Sequence, residues 1–353
     1  MKIVVTGATG NVGTSVVRAL GDADEIVGIA RRRPAWQAPR VRWVSADVAR
    51  DDLAPHFAGA DAVIHLAWLI QPSRDGDELA RVNVEGSRRV FEATARAGVK
   101  ALVHASSVGV YSPGPKDRAV DESWPREGVE TLFYARHKAQ AERALDAVER
   151  ANPRLRVVRL RPGLIFKREA GPEIRRLFAG PFLPAWLTRP GLLPLLPLPD
   201  RLVLQCVHGD DIGAAYRLAA LSEHASGAYN IAADPVLDPD TLARVLKTRR
   251  VRFPERPLRT LASLTWRAHL QPAPPGWLDM GLRVPVMDTT RAREQLGWAP
   301  RHDAAYALRE VLAGMRDPAG LDTPPLAPRA GGRLRGREVL TGVGSKLSGR
   351  ADR

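Results

Sequence analysis

One cysteine in 353 residues, Cys206, rules out an intrachain disulfide and a cysteine-rich metal site. That scarcity suits a reducing cytoplasm, with Cys206 expected as a small buried apolar side chain. A membrane span is also missing. The most apolar stretch, Leu177 to Val207, is interrupted by Arg189 and by prolines from Pro181 to Pro199, so it reads as an irregular wall. No secretory leader is expected, because Met1 to Val5 runs straight into a glycine turn. No nucleic-acid recognition module accompanies the net charge of +14, which scattered arginines carry, so nucleic acid is not expected as a partner. There is no internal repeat, and no spacing of His, Cys or carboxylates marks a metal site.

What remains is an ordinary globular composition, 44% hydrophobic and 26% charged, on a chain long enough to bury a full core. The first half alternates β-branched runs with helical patterns. Strands are expected at Lys2 to Thr6, Glu25 to Ala30, Val41 to Asp47, Ala62 to Ala67, Ala101 to Ser106 and Leu155 to Leu160. Helices are expected at Val12 to Leu20, Asp77 to Ala97 and Leu132 to Glu149. This is the signature of an α/β, doubly wound parallel Rossmann sheet. After Pro162 the alternation dissolves. Helices are expected at Asp211 to Leu221, Pro239 to Lys247, Pro257 to His269, Thr289 to Leu296 and Ala304 to Ala313, with a strand at Ala228 to Ala232. The division expected is a nucleotide-binding domain over 1–162, returning at about 203–232, a smaller mixed cap over 163–202 and 233–315, and an extended or disordered basic tail over 316–353.

The first strand opens into Thr6-Gly7-Ala8-Thr9-Gly10-Asn11-Val12-Gly13 and then an apolar helix, the setting a dinucleotide fingerprint requires. Gly7 permits the tight turn, Gly10 lets backbone N–H groups approach a pyrophosphate, and Gly13 lets the helix pack on the strand. The helix N-terminus adds partial positive charge. An NAD site would place an acid at the end of the second strand. Here Ile29-Ala30 is followed by Arg31-Arg32-Arg33, and guanidinium groups there suit a 2′-phosphate, so NADP(H) is expected in preference to NAD(H).

Tyr134 and Lys138 are four residues apart and share a helix face. A free phenol ionises at a pKa of about 10, too high for acid–base work near neutrality without nearby positive charge, which Lys138 is placed to supply. Ser107 ends the fifth strand at the carboxyl edge of the sheet, where ligands bind, and could bond the substrate oxygen.

Taken in order, the turn of Gly7, Gly10 and Gly13, Asp47-Val48, His65-Leu66-Ala67, Asn83-Val84-Glu85-Gly86, Ser106-Ser107 with Val110-Tyr111, Tyr134 to Lys138, Arg161-Pro162-Gly163 and Val207-His208-Gly209-Asp210-Asp211 resemble the extended short-chain dehydrogenase/reductase superfamily, often labelled the NAD-dependent epimerase/dehydratase family. The resemblance covers roughly residues 1–315. It implies that Asp47 and Val48 hold adenine and that Leu66 and Ala67 form the cofactor's floor. Tyr134 would be the acid/base, Lys138 its partner and ribose ligand, and Ser107 the orienting hydroxyl. With Thr9, Asn11, Val12, Arg31 and Arg32, the residues Asn83, Pro162 and Gly163 complete the expected cofactor set. Asn83 and Asp211 also read as backbone-fixing residues, Asp211 as a helix start. His65 and His104 read as core histidines.

Arg161-Pro162-Gly163-Leu164 departs from the Arg-Tyr-Phe-Asn-like segment common in nucleotide-sugar epimerases and looks more like the reductases of the superfamily. Substrate contacts are expected from Trp68, Ile70, Leu177, Phe178, Phe182, Leu183, Trp186, Leu187 and the run Leu192 to Leu198, which suggest a hydrophobic carbonyl or alcohol. Arg161, Arg168, Arg175, Arg176 and Arg189 would instead suit a diphosphate. Three readings follow: a net oxidoreductase on a small-molecule substrate, an epimerase or dehydratase that recycles its cofactor, and a non-catalytic NADP sensor, against which the intact Tyr134, Lys138 and Ser107 argue. The two long helices of the first half lie where relatives dimerise, so a homodimer is expected.

Overall fold

The computed structural model describes residues 1–21, 23, 25–70, 75–179, 188–317 and 319–328. The chain begins β1 (Lys2–Thr6), α1 (Asn11–Ala19), β2 (Glu25–Ala30), β3 (Val41–Ser45), α2 (Ala54–Phe57), β4 (Ala62–His65) and α3 (Gly76–Ala80). A π-helical turn at Arg81–Glu85 leads into α4 (Gly86–Arg96), followed by β5 (Ala101–Ala105), β6 (Ala119–Val120), α5 (Phe133–Ala151) and β7 (Arg156–Pro162). The expected single helix from Asp77 to Ala97 is thus interrupted by a wide turn, and the third to fifth strands end one or two residues early.

Then come β8 (Leu164–Phe166), α6 (Gly171–Ile174), β9 (Leu195–Leu198), β10 (Leu204–His208), α7 (Gly209–Leu221), β11 (Gly227–Ile231), β12 (Ala233–Leu237), α8 (Pro239–Val245) and β13 (Arg249–Arg252). The cap closes with α9 (Glu255–Arg267), α10 (Gly276–Arg283), β14 (Val286–Met287), α11 (Thr290–Glu294) and α12 (Ala304–Arg316). The stretch read as an irregular wall therefore carries two strands, β9 and the start of β10.

Seven parallel strands form the central sheet in the order β11-β7-β5-β4-β1-β2-β3. Period-two alternation sorts its side chains. Ile3, Val5, Ile64 and Val103 face a core with Val16, Ile212 and Tyr216 of α1 and α7. Val4, Val63 and Leu102 face the opposite core with Val90, Phe91 and Leu145 of α4 and α5. Both faces are covered, as an all-parallel sheet requires. The strand order reverses between β1 and β4, which opens a crevice at the carboxyl edge.

Three smaller sheets stand beside the central one: β12-β10-β8, the parallel pair β13-β9 and the parallel pair β14-β6. Cys206 is fully buried in the first of these. Asp211 lies within the first turn of α7, whose N-cap is His208; its carboxylate accepts instead from the Arg301 and His302 N–H groups, both at 3.0 Å. Residues 319–328, within the stretch expected to run extended, form a turn packed on the nucleotide-binding half, with Thr323 and Leu326 buried. No helix among the described residues is long and apolar enough to cross a membrane.

Candidate active site

The glycine turn is built as its sequence requires. Gly7 has φ +71°, and a Cβ there would lie 2.7 Å from the Ala67 nitrogen. A Cβ on Gly13 would come within 2.3 Å of the Gly7 carbonyl oxygen. At Gly10 the nearest neighbour of a Cβ would be that same oxygen at 3.5 Å, so no protein atom demands glycine there. A ligand pressed against the backbone would. Gly10 is the N-cap of α1 without a side-chain cap, and the first turn of α1 holds no acid, so the positive end of the helix is left for an anion.

Lys167, just after β8, reaches into α1 from behind, with Nζ donating to Asn11 O and Thr14 Oγ1 at 2.7 Å and to Ser15 Oγ at 3.0 Å. Burial lowers its ammonium to about 8.

A cleft runs from this turn along the ends of β2, β3 and β4. Of the expected cofactor residues it is lined by Gly7, Thr9, Gly10, Arg31, Asp47, Val48, Leu66 and Ala67, and also by Ile29, Ala30, Trp68, Leu69 and Pro325. An uncapped helix end, an open glycine and apolar walls fit a dinucleotide.

Other expected residues stand behind this lining. The Asn11 amide donates to Ile165 O at 3.1 Å, and Val12 packs on the core. Arg32 is exposed, and Arg33 donates through Nη2 to Trp43 O at 2.8 Å, which ties it to β3. Asn83 is fully buried; its Oδ1 accepts from Leu69 N at 2.7 Å and its Nδ2 donates to Leu69 O at 2.9 Å, so it clamps the loop after β4 rather than bordering the cleft. Pro162 ends β7 opposite Ile231. Gly163 donates to Ile231 O at 3.0 Å, and a Cβ on it would strike Gln205 O at 2.3 Å, so this pair serves the joint between sheet and cap.

Ser107, Tyr134 and Lys138 come together at the other end of the crevice. Ser107 Oγ accepts from Gly109 N at 3.0 Å and is the side-chain partner of the Tyr134 hydroxyl. Lys138 Nζ donates to Ala105 O at 2.5 Å and lies 3.5 Å from the centroid of the Trp68 ring. Burial pushes the Tyr134 phenol up to about 12, with Ser107 pulling the other way. Burial also brings Lys138 down to about 7, opposed by Glu142. In the free protein the Lys138 ammonium is directed at the Ala105 carbonyl and the Trp68 face and lies 5.7 Å from the centroid of the Tyr134 ring.

Glu142, one turn beyond Lys138, was not singled out from sequence, although the four-residue spacing Tyr134, Lys138, Glu142 was its signal. Its carboxylate accepts from Ser106 Oγ at 2.5 Å and from Arg161 Nε and Nη2 at 2.9 and 2.7 Å. Burial raises its pKa, but the Arg161 guanidinium holds it below the usual carboxylate range. Arg161 Nη1 also donates to Tyr111 Oη at 3.1 Å, and Tyr111 Oη donates to Asn230 Oδ1 at 2.6 Å. Arg161 is therefore consumed by Glu142 of α5, the Tyr111 hydroxyl and the Glu122 carbonyl, and is not placed to clamp a diphosphate.

His65 bonds Thr6 and Ser87 through its two ring nitrogens, while His104 stacks on it at 5.6 Å. Both are core residues.

Aromatic rings surround the phenol. Trp68 meets Tyr134 edge-on at 6.0 Å, Trp277 lies 5.1 Å from it, and Phe178 meets Trp277 at 5.0 Å. The indole N–H groups of Trp68 and Trp277 are buried and have no partner among the described residues. Trp277, on α10, was not read from the sequence. Phe182, Leu183, Trp186 and Leu187 lie outside the described residues, and Leu192, Leu193 and Leu195 are exposed.

An uncharacterized protein of Mycobacterium tuberculosis is 30% identical over 325 residues, 91% of this chain. The match occupies 31% of that relative, so the chain spans under a third of its length. Sterol demethylase protein B of Methylococcus capsulatus is 34% identical over 151 residues, 40% of this chain and 45% of that protein. A solved structure of MoeE5 in complex with UDP-glucose and NAD shares the fold at a TM-score of 0.67, with 22% identity over 90% of this chain and 99% of that one. The parallel sheet, the open glycine turn and a match over residues 3–232 place the chain in the NAD dependent epimerase/dehydratase family.

Proposed function

We propose that the chain is an NAD(P)-dependent oxidoreductase of the extended short-chain type that moves a hydride to or from the carbonyl or alcohol carbon of a small hydrophobic substrate. The observation that carries this reading is the phenol of Tyr134, partnered by Ser107 and walled by Trp68 and Trp277 beside the dinucleotide crevice. Bound nicotinamide would supply or take the hydride. Ser107 orients the substrate oxygen, and Tyr134 exchanges a proton with it. A phenol held near about 12 is protonated at neutral pH, which suits donation to a carbonyl oxygen being reduced. Lys138 steadies the phenolate left behind. Aromatic walls exclude water and favour apolar substrate surface.

NADP(H) is the proposed preference, supported by Arg31 at the cleft and by the lack of an acid at the end of β2. A homodimer packed through α4 and α5 and a cytoplasmic location complete the reading.

A second reading, an epimerase or dehydratase of nucleotide sugars with recycled cofactor, is favoured by the shared fold with MoeE5, solved with UDP-glucose and NAD. The two separate in one assay: carbonyl compounds and nucleotide sugars are screened with NADPH and NADH in parallel. Stoichiometric consumption of free NADPH supports the oxidoreductase, whereas turnover without net absorbance change supports the second reading. Tyr134→Phe should abolish turnover and leave cofactor affinity unchanged; wild-type rates would remove Tyr134 as acid/base.

A further inference from the structure

Beyond α12 the chain crosses from the cap to the far edge of the nucleotide-binding half, and residues 319–328 settle there as a closed turn. Leu321 N donates to Leu326 O and Leu326 N to Thr323 O, both at 3.1 Å. A Cβ on Gly320 would fall within 2.4 Å of Pro328 Cδ and 2.5 Å of Leu326 O, so the turn is folded tightly on itself. It is anchored as well as closed. Trp36 N, in the loop between β2 and β3, donates to Asp322 O at 2.8 Å, and Leu326 and Thr323 are each 1% exposed. Trp36 is itself held against the Val41 and Val16 core, with the Arg18 guanidinium 5.9 Å from its ring.

The tip of this turn is Pro325, and Pro325 lines the same cleft as Ala30, Arg31, Asp47 and Val48. Those residues mark the adenosine end, because they follow β2 and β3, where a dinucleotide's first ribose and adenine lie. We propose that residues 319–328 are a clasp forming part of the dinucleotide site, with Pro325 packing on the adenosine half of the cofactor. The inference rests on the cofactor reading above. The clasp lies beyond residues 3–232, the segment that the family model matches. Its chemistry suits a cover. A proline ring has a fixed φ and no N–H to satisfy, so it offers apolar surface to a nucleoside with little ordering cost. The turn is hydrogen-bonded before any ligand arrives, which limits the entropy lost on binding.

Binding of NADPH, NADH and ADP-ribose is measured by titration calorimetry on the full chain, on a chain ending at Pro328, on a chain ending at Asp317, and on Pro325→Glu and Gly10→Val. The clasp requires that the chain ending at Pro328 keep its affinity within about twofold. The chain ending at Asp317 and Pro325→Glu should each raise Kd by about tenfold or more for all three ligands, ADP-ribose included, since the lost contact is to the adenosine half. Should the shorter chain fail to fold, Pro325→Glu decides alone. Wild-type affinity in Pro325→Glu overturns the proposal, as does a loss already complete in the chain ending at Pro328. Gly10→Val separates the two readings: unchanged binding in that variant means the cleft is not the dinucleotide site, whereas lost binding there with normal binding in Pro325→Glu removes the clasp alone.

Discussion

Lys138 is a base held in a place that penalises its charge. Burial brings it to about 7, well under the ordinary lysine value of about 10.4. In the window between those values the unfolded chain binds more protons than the folded one, so this group's contribution to stability rises with pH. Cofactor-free protein unfolded by urea at a series of pH values between about 7 and 10 should therefore gain stability more steeply than Lys138→Met. Lys116 and Lys167, also lowered by burial, contribute to both proteins, so the difference isolates Lys138. A difference that does not change with pH would contradict the assignment. Sequence alone supplied Tyr134, Lys138 and Ser107 because strand ends and four-residue spacing are local properties. Trp277 was hidden because nothing local tells a tryptophan beside a phenol from one in an ordinary core.

The helix α5 is held by more than its apolar stripe. Glu142 joins it to β5 through Ser106 and to β7 through Arg161, in a network where Arg161 is 3% exposed. Removing one partner of such a pair leaves an uncompensated charge, which costs more than the pair contributes. Glu142→Ala should lose about 3–5 kcal/mol in chemical denaturation, and a loss under about 1 kcal/mol would show that the network is relieved by water. The parallel sheet was legible because each strand is a short β-branched run bounded by turn residues. The cap was less so. α10 begins behind Pro274 and Pro275 and contains Gly276 and Gly281, residues of poor helix propensity, yet Met280 and Leu282 bury there. β10 follows a proline-rich stretch and acquires its partners, β8 and β12, from distant parts of the chain. Asn83 was placed at the cofactor by its motif, whereas its amide is spent on the Leu69 backbone, a pairing across a loop that spacing does not reveal.

Across the molecule, α4 and α5 lie side by side on one face of the sheet, and we expect two copies to associate there by two-fold symmetry. Sedimentation velocity should give a dimer at micromolar concentration, and Arg143→Glu, on the exposed side of α5, should weaken it; a monomer at all concentrations would reject that interface. The C-terminal turn escaped the sequence reading because it has few apolar residues, and its burial depends on an anchor from a distant loop, the Trp36 N–H on Asp322 O. Lys167 has a consequence for motion. Its ammonium, hooked into the first turn of α1 from the end of β8, pins the two halves together at the phosphate turn with three hydrogen bonds that a hinge movement there would break. Opening of the cleft about that corner is therefore opposed by those three bonds, so the phosphate turn stays joined to the cap side while they hold.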